Sequence, residues 1–170
     1  VLVFAAHPDD EAIGCGGTLA RFSAEGSEVH VVYLADGVGA RQGEKVSSNI
    51  SSEYLARKEA AEAAANILGV KSVSFGDFPD NRMDTVALLD VVQFIEKVLD
   101  HYQPETVLTH HAGDLNVDHR RVHQAVVTAC RPQPGHSVKT ILFFEVCSST
   151  EWQMPASNAP AFLPNWFVDI

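Results

Sequence analysis

The chain opens on VLVFAAHPDDEAIGCGG, an apolar run ending in His7, Asp9, Asp10 and Glu11 before a group of glycines. A buried strand has no packing use for an imidazole and adjacent carboxylates, each of which loses its hydration there. Chemistry at the strand's end gives them a use. Pro8 fixes a backbone angle and removes a donor, which favours a sharp turn. On such a turn one carboxylate can ligate a cation alongside His7 while its neighbour faces a bound water. A second cluster, HHAGDLNVDHRRVH, sets His119 near the start of a helix, with Asp118 beside it and His123 one turn further on. A His, an Asp and a distant His make three protein ligands, the number a catalytic zinc site uses while keeping one position for water. A leftover carboxylate beside that water is a general base.

Each cluster also has a plainer use. HPDDE suits a solvated turn with a helix-capping acid, and His119 suits a helix surface whose exposed face His123 shares at i+4. Their joint position decides between these uses, and that depends on the elements carrying them. VLVFAA, VHVVYLA, KSVSF, ETVLTH and KTILFFEV are short apolar runs bounded by turn-forming residues, the pattern of buried parallel strands. WFVDI reads as a last strand. Between them lie four helical stretches: EAIGCGGTLARFSAEG, SSEYLARKEAAEAAANILGV, TVALLDVVQFIEKVLDHY and VDHRRVHQAVVTAC. DGVGARQGEKVSSNI reads as a mobile surface loop and SSTEWQMPASNAPAFLPN as a Pro-rich connection.

Strands alternating with helices imply right-handed βαβ units. The expected fold is therefore α/β, a single Rossmann-like three-layer domain over residues 1–170 with a mainly parallel sheet. In such sheets ligands bind beyond the carboxyl ends of the strands, where both clusters fall. Strands one and four are neighbours in the common doubly wound orders, so the clusters are expected to face each other. The chain begins inside a strand without Met and stops at FVDI, so a few N-terminal residues and a C-terminal segment are expected to be missing.

The composition is that of an ordinary globular domain, with 46% hydrophobic and 20% charged residues. A formal net charge of -10, spread along the chain, argues against nucleic acid or an anionic membrane surface as partner. There is no apolar run of transmembrane length and no signal-peptide pattern. Three cysteines without paired metal spacing point to reduced thiols and a cytoplasmic setting.

AHPDDE near the start, a Gly-rich helix after it and a later xxDH resemble the PIG-L/LmbE family of metal-dependent de-N-acetylases. The RKEAAEAA helix with LGV, the FGDFPDNRMDT turn and the NVDHRRVHQAV helix extend the likeness over most of the chain. The resemblance implies one zinc ion and removal of an N-acetyl group from an N-acetylglucosamine-type sugar or conjugate. By motif, His7, Asp10 and His119 resemble the metal ligands and Asp9 the general base. Family members often carry a His three residues before the third ligand, where it can stabilise the oxyanion and protonate the leaving amine. This chain has Asn116 there, which can donate a hydrogen bond but no proton. That leaves His123, His110 or Asp9 itself as the acid. Asp118 resembles a residue that orients a neighbour, Arg57 one that contacts substrate, and Asp80 one that hydrogen-bonds sugar hydroxyls. Arg57 is equally suited to a helix ion pair and Asp80 to a turn.

Two rival readings remain. GCGG before a helix invites comparison with a nucleotide-binding loop, although Gly14, Gly16 and Gly17 do not give G-x-G-x-x-G. Asp9 and Asp10 after strand one would also suit a magnesium-dependent phosphoryl-transfer domain, which has little use for histidines. The acyl group, the aglycone, the metal among zinc, iron, cobalt and manganese, and a homo-oligomeric state are all left open by the sequence.

Overall fold

The computed structural model describes residues 1–40, 48–154 and 158–170, with side chains described outside 48–51. Its strands are β1 (Leu2–Ala5), β2 (His30–Ala35), β3 (Ser72–Phe78), β4 (Thr106–His110) and β5 (Thr140–Phe144). Its helices are α1 (Asp10–Ala24), α2 (Ser48–Leu68), α3 (Leu88–Tyr102) and α4 (Val117–Ala129). The five strands form one sheet in the order β3-β2-β1-β4-β5. Every pairing is parallel, β1 with β2 and β4 included. The topological switch point therefore lies beside β1, as the alternation of strands and helices predicts.

The sheet is covered on both faces because its central strands are apolar on both. Leu2, Phe4 and Ala6 face a core shared with Val91, Ile95 and Leu99 of α3 and Val122 and Val126 of α4. Val3 and Ala5 face the opposite core with Leu19 of α1 and Ala61 and Ala65 of α2. That split follows from the two-residue period of a strand. Fully buried on both sides, β1 cannot shift its register without turning one core out to solvent.

The glycines of α1 serve packing. A Cβ on Gly14 would lie 2.4 Å from the Phe144 ring and 2.8 Å from the Glu145 carbonyl oxygen. One on Gly17 would lie 2.5 Å from Ile170, and Gly16 faces Leu68. The helix departs from helical geometry at Cys15, within this run. The glycines thus sit inside the helix against apolar neighbours, which removes the nucleotide-loop reading.

Two expectations need correction. Among the described residues WFVDI forms no strand. Trp166, Phe167 and Ile170 are exposed there, and an apolar run becomes a strand only where a neighbour supplies the hydrogen-bond ladder. The third strand runs on to Phe78, past the expected KSVSF, before the turn at Pro79–Arg82. Of the segments read as a loop and a Pro-rich connection, residues 41–47 and 155–157 lie outside the described residues, and Ser48–Ile50 belong to α2. No helix among the described residues is long and apolar enough to cross a membrane.

Candidate metal centre

The end of β1 and the start of α4 meet as the strand order requires. The backbone N–H of His7 donates to Asp10 Oδ2 at 2.8 Å, and His7 Nδ1 lies 3.4 Å from the same oxygen. His119 Nε2 lies 3.2 Å from Asp10 Oδ1, is buried and has no hydrogen-bond partner. Asp10 thus sits between the two imidazoles.

The outer nitrogens of both rings are held by carboxylates, which can only accept. His7 Nε2 donates to Asp118 Oδ2 at 3.0 Å and lies 3.1 Å from Asp80 Oδ1. His119 Nδ1 lies 3.1 Å from Asp114 Oδ2. When a ring is neutral its one proton therefore belongs on His7 Nε2 or His119 Nδ1, so a cation would take the lone pairs of His7 Nδ1 and His119 Nε2 in place of the protons these nitrogens hold toward Asp10. Carboxylate–histidine pairs of this kind fix the tautomer of a ring and its aim at a metal.

Among the described residues three overlapping donor sets come within 4.8 Å: His7, Asp10 and His119; His110, Asp114 and His119; and His7, Asp80 and Asp118. Their partners decide among them. Asp118 already accepts from the backbone of Asn81 at 2.6 Å and Met83 at 3.1 Å. Asp80 accepts from Ala40 N and the Asn81 side chain. Asp114 accepts from Asn116 N, Ser149 Oγ and Thr150 Oγ1. Only the first set both has an orphaned ring nitrogen and opens with all its members onto a cavity, of about 530 Å³. Two nitrogens and a carboxylate oxygen suit zinc and other transition metals better than magnesium, so the site does not favour a phosphoryl-transfer centre.

The charge balance agrees. Burial alone would make the His7 ring less basic, but the carboxylates of Asp10, Asp118 and Asp80 outweigh it and raise its pKa to about 12. His119 is likewise raised to about 9 against its burial, by Asp10 and Asp114. The Asp10 carboxyl is held well below the usual range, its burial overcome by the surrounding imidazoles. In the metal-free protein, protons thus supply positive charge where a cation would otherwise do so.

Asp9 stands apart from the converging donors. Arg57 donates from Nη1 to Asp9 Oδ2 at 3.0 Å and to the Pro8 carbonyl at 3.3 Å. Burial, and then the charge of Asp10, push the Asp9 carboxyl above its ordinary value, while Arg57 opposes them. Its backbone φ is 155°, a region other residues than glycine rarely adopt. Across the cavity Asn116 caps α4, its Oδ1 accepting from Asp118 N at 2.8 Å. The amide is thereby oriented, with its NH2 as the uncommitted end. Gly37, with φ of 70°, lets the chain leaving β2 pass within 3.3 Å of the His7 and Pro8 side chains where a Cβ would sit.

The structure therefore brings together His7, Asp9, Asp10, Arg57, Asp80, Asn116 and His119 as lining of one cavity. Arg57 touches Asp9, and Asp80 faces His7. Asp118 lies behind His7, fully buried. His123 is elsewhere: it borders a different cavity with Arg120 and Arg121, and its Nδ1 hydrogen-bonds the His110 carbonyl oxygen at 2.8 Å. His110 is fully buried, stacked on His119 with ring centroids 3.9 Å apart, and its Nε2 accepts from Ala6 N. Burial lowers its pKa to about 3, so it holds no proton to give near neutrality. Asp114 is the site residue that the sequence did not single out. It stands five residues before His119 within HHAGDLNVDH, a spacing that no helical or strand period marks.

The family model for GlcNAc-PI de-N-acetylase (PIG-L) matches residues 2–130. The chain belongs to the PIG-L family. The uncharacterized deacetylase YaiS of Escherichia coli is 30% identical over 139 residues, covering 79% of this chain and 69% of that protein. The 4-oxalmesaconate hydratase of Pseudomonas putida is 35% identical over 127 residues, covering 69% of this chain and 46% of its own length. Among solved structures, the N,N'-diacetylchitobiose deacetylase from Pyrococcus horikoshii superposes with a TM-score of 0.70 at 25% identity, over 84% of this chain and 59% of that one. PIG-L membership accounts for the sheet order, and the converging donors sit at its switch point.

Proposed function

We propose that this PIG-L chain is a zinc-dependent hydrolase that removes an N-acetyl or similarly small N-acyl group from an N-acetylglucosamine-type sugar or conjugate. The observation that carries this is the convergence of His7 Nδ1, Asp10 and His119 Nε2 on one cavity, with Asp9 beside them and outside the set. Relatives and solved structures whose names give deacetylation of N-acetylated sugars support the substrate class. Zinc is the ion that best suits two imidazoles and a carboxylate with a position left for water.

A cation held there supplies Lewis acidity toward the acyl carbonyl and acidifies a water. Asp9 takes the water's proton as the new C–O bond forms. Arg57 engages Asp9 Oδ2, so the carboxylate is held in one orientation with its second oxygen able to accept. The oriented Asn116 NH2 donates to the developing oxyanion. When the C–N bond breaks the amine needs a proton. Among the described residues lining the cavity no histidine other than the two donors is present. Asp9 returns the proton it took, giving acetate and a free amine. Asp118 and Asp80 act only through His7, by keeping its proton on Nε2.

The test is acetate release from N-acetylglucosamine and its oligomers and conjugates, with zinc-loaded protein beside Asp9→Asn. Release by the wild type and loss in the variant support the proposal; metal-loaded protein that releases no acetate from any of them overturns it. A second reading, metal-assisted hydration of a carbon–carbon double bond, is favoured by the similarity to the hydratase. Water addition to an unsaturated carboxylate such as 4-oxalmesaconate, without acetate release, would select it.

A further inference from the structure

The segment after β5 contains a short 3₁₀ turn, Thr150–Trp152, well past the family match, which ends at residue 130. Its first residue is buried and doubly engaged. Thr150 Oγ1 accepts from Val146 N at 2.8 Å and donates to Asp114 Oδ2 at 2.6 Å. A hydroxyl has one proton, and because a backbone N–H occupies its acceptor side, that proton is directed at Asp114. Ser149 Oγ donates to the same oxygen at 2.9 Å and stands 3.3 Å from His119 Nδ1. Asn116 N holds the other oxygen at 2.7 Å. Asp114 is completely buried and cannot turn to water for other partners.

We infer that Thr150, with Ser149, is a positioning residue for the metal ligand His119, acting through Asp114. The inference rests on the proposed metal-dependent reading but not on its substrate. The chain of contacts runs from the Val146 backbone, just past β5, through Thr150 to Asp114, and from Asp114 to His119 Nδ1. Its far end is His119 Nε2, which has no hydrogen-bond partner and whose lone pair a cation would take. Releasing the carboxylate frees the ring to rotate or to move its proton to Nε2, and either takes the lone pair away from the cation. Partners of this kind are worth about 10- to 100-fold in metal affinity. Loss of a hydroxyl that merely solvated a buried carboxylate would lower stability and leave affinity unchanged.

The experiment measures zinc affinity by chelator competition, and the visible spectrum of the cobalt-substituted protein, for wild type, Thr150→Val, Thr150→Ser and Ser149→Ala. Thermal unfolding of each metal-free protein is followed in parallel. Thr150→Val is expected to weaken zinc binding about 10-fold or more and to perturb the cobalt spectrum. Thr150→Ser should restore both, and Ser149→Ala should show a smaller loss. Wild-type affinity and spectrum in Thr150→Val, with only its unfolding temperature lowered, overturn the inference while leaving the metal-dependent reading intact. Should Thr150→Val fail to fold, unchanged affinity in Ser149→Ala overturns it. Wild-type protein that takes up no transition metal overturns both.

Discussion

Arg57 Nη1 lies 3.0 Å from Asp9 Oδ2, joining α2 to the turn that follows β1. The side chain that the sequence aims at substrate therefore holds the proposed base. Both groups are partly exposed, so the contact matters for geometry more than for stability. Arg57→Ala is expected to lower kcat about 100-fold, the usual effect of letting a catalytic group drift. Arg57 also counters the burial that raises the Asp9 carboxyl, so its loss should shift the acid limb of the pH–rate profile upward. A raised KM with unchanged kcat and profile would assign Arg57 to substrate alone.

Asp9 and Asp10 are adjacent in sequence but divided in role. Asp9→Asn should keep wild-type zinc content and lose at least about 100-fold in turnover, as expected for a general base. Asp10→Asn and His119→Ala should lose the metal as well. Elemental analysis beside an acetate assay tests the division, and equal metal loss in Asp9→Asn would refute it.

Proton competition sets the pH dependence of metal uptake. In the metal-free protein burial opposes charge on both rings, but the surrounding carboxylates raise His119 to about 9 and His7 to about 12, so both rings are charged at neutral pH. Binding needs a lone pair on each, so about two protons should leave per ion. Between about pH 6 and 8 the zinc Kd should then fall roughly 100-fold per pH unit. The same raised values stabilise the metal-free fold. That stability is complete below the ordinary 6.5 and is lost as pH rises through about 9 for His119 and about 12 for His7. Titrations in buffers of different ionisation enthalpy count the protons; uptake without proton release would contradict these assignments.

Gly14 is predicted to tolerate no side chain. Gly14→Ala puts a methyl group against the Phe144 ring and the Glu145 carbonyl, at 2.4 and 2.8 Å before relaxation. Overpacking of this sort costs about 1–3 kcal/mol. Chemical denaturation would register the loss, and a variant as stable as wild type would show that β5 yields freely.

Much of this molecule is legible in its sequence. The four strands from VLVFAA to ETVLTH are bounded by turn residues, and their alternation with helices predicts β1 beside β4 and so His7 near His119. Asp114 and Thr150 were not legible in the same way. Their roles are hydrogen bonds between residues 36 apart, and no local period or propensity records such a contact. His123 shows the converse limit. Its spacing puts it on the same side of α4 as His119, yet the rise of one helical turn carries it to the His110 carbonyl and away from the cavity. WFVDI has a strand's composition but lacks a neighbour to pair with, and composition alone cannot supply one.

The backbone at Asp9, with φ of 155°, sets heat resistance against activity. A conformation of this kind costs about 1–3 kcal/mol in a residue other than glycine. Glycine, without a Cβ, meets less strain there and loses only about 0.5–1 kcal/mol through its looser unfolded chain. Asp9→Gly should therefore melt at a higher temperature than the natural chain while catalysing nothing. A higher melting temperature in Asp9→Gly, with acetate release lost, would show that the chain gives up stability at the residue proposed to drive turnover.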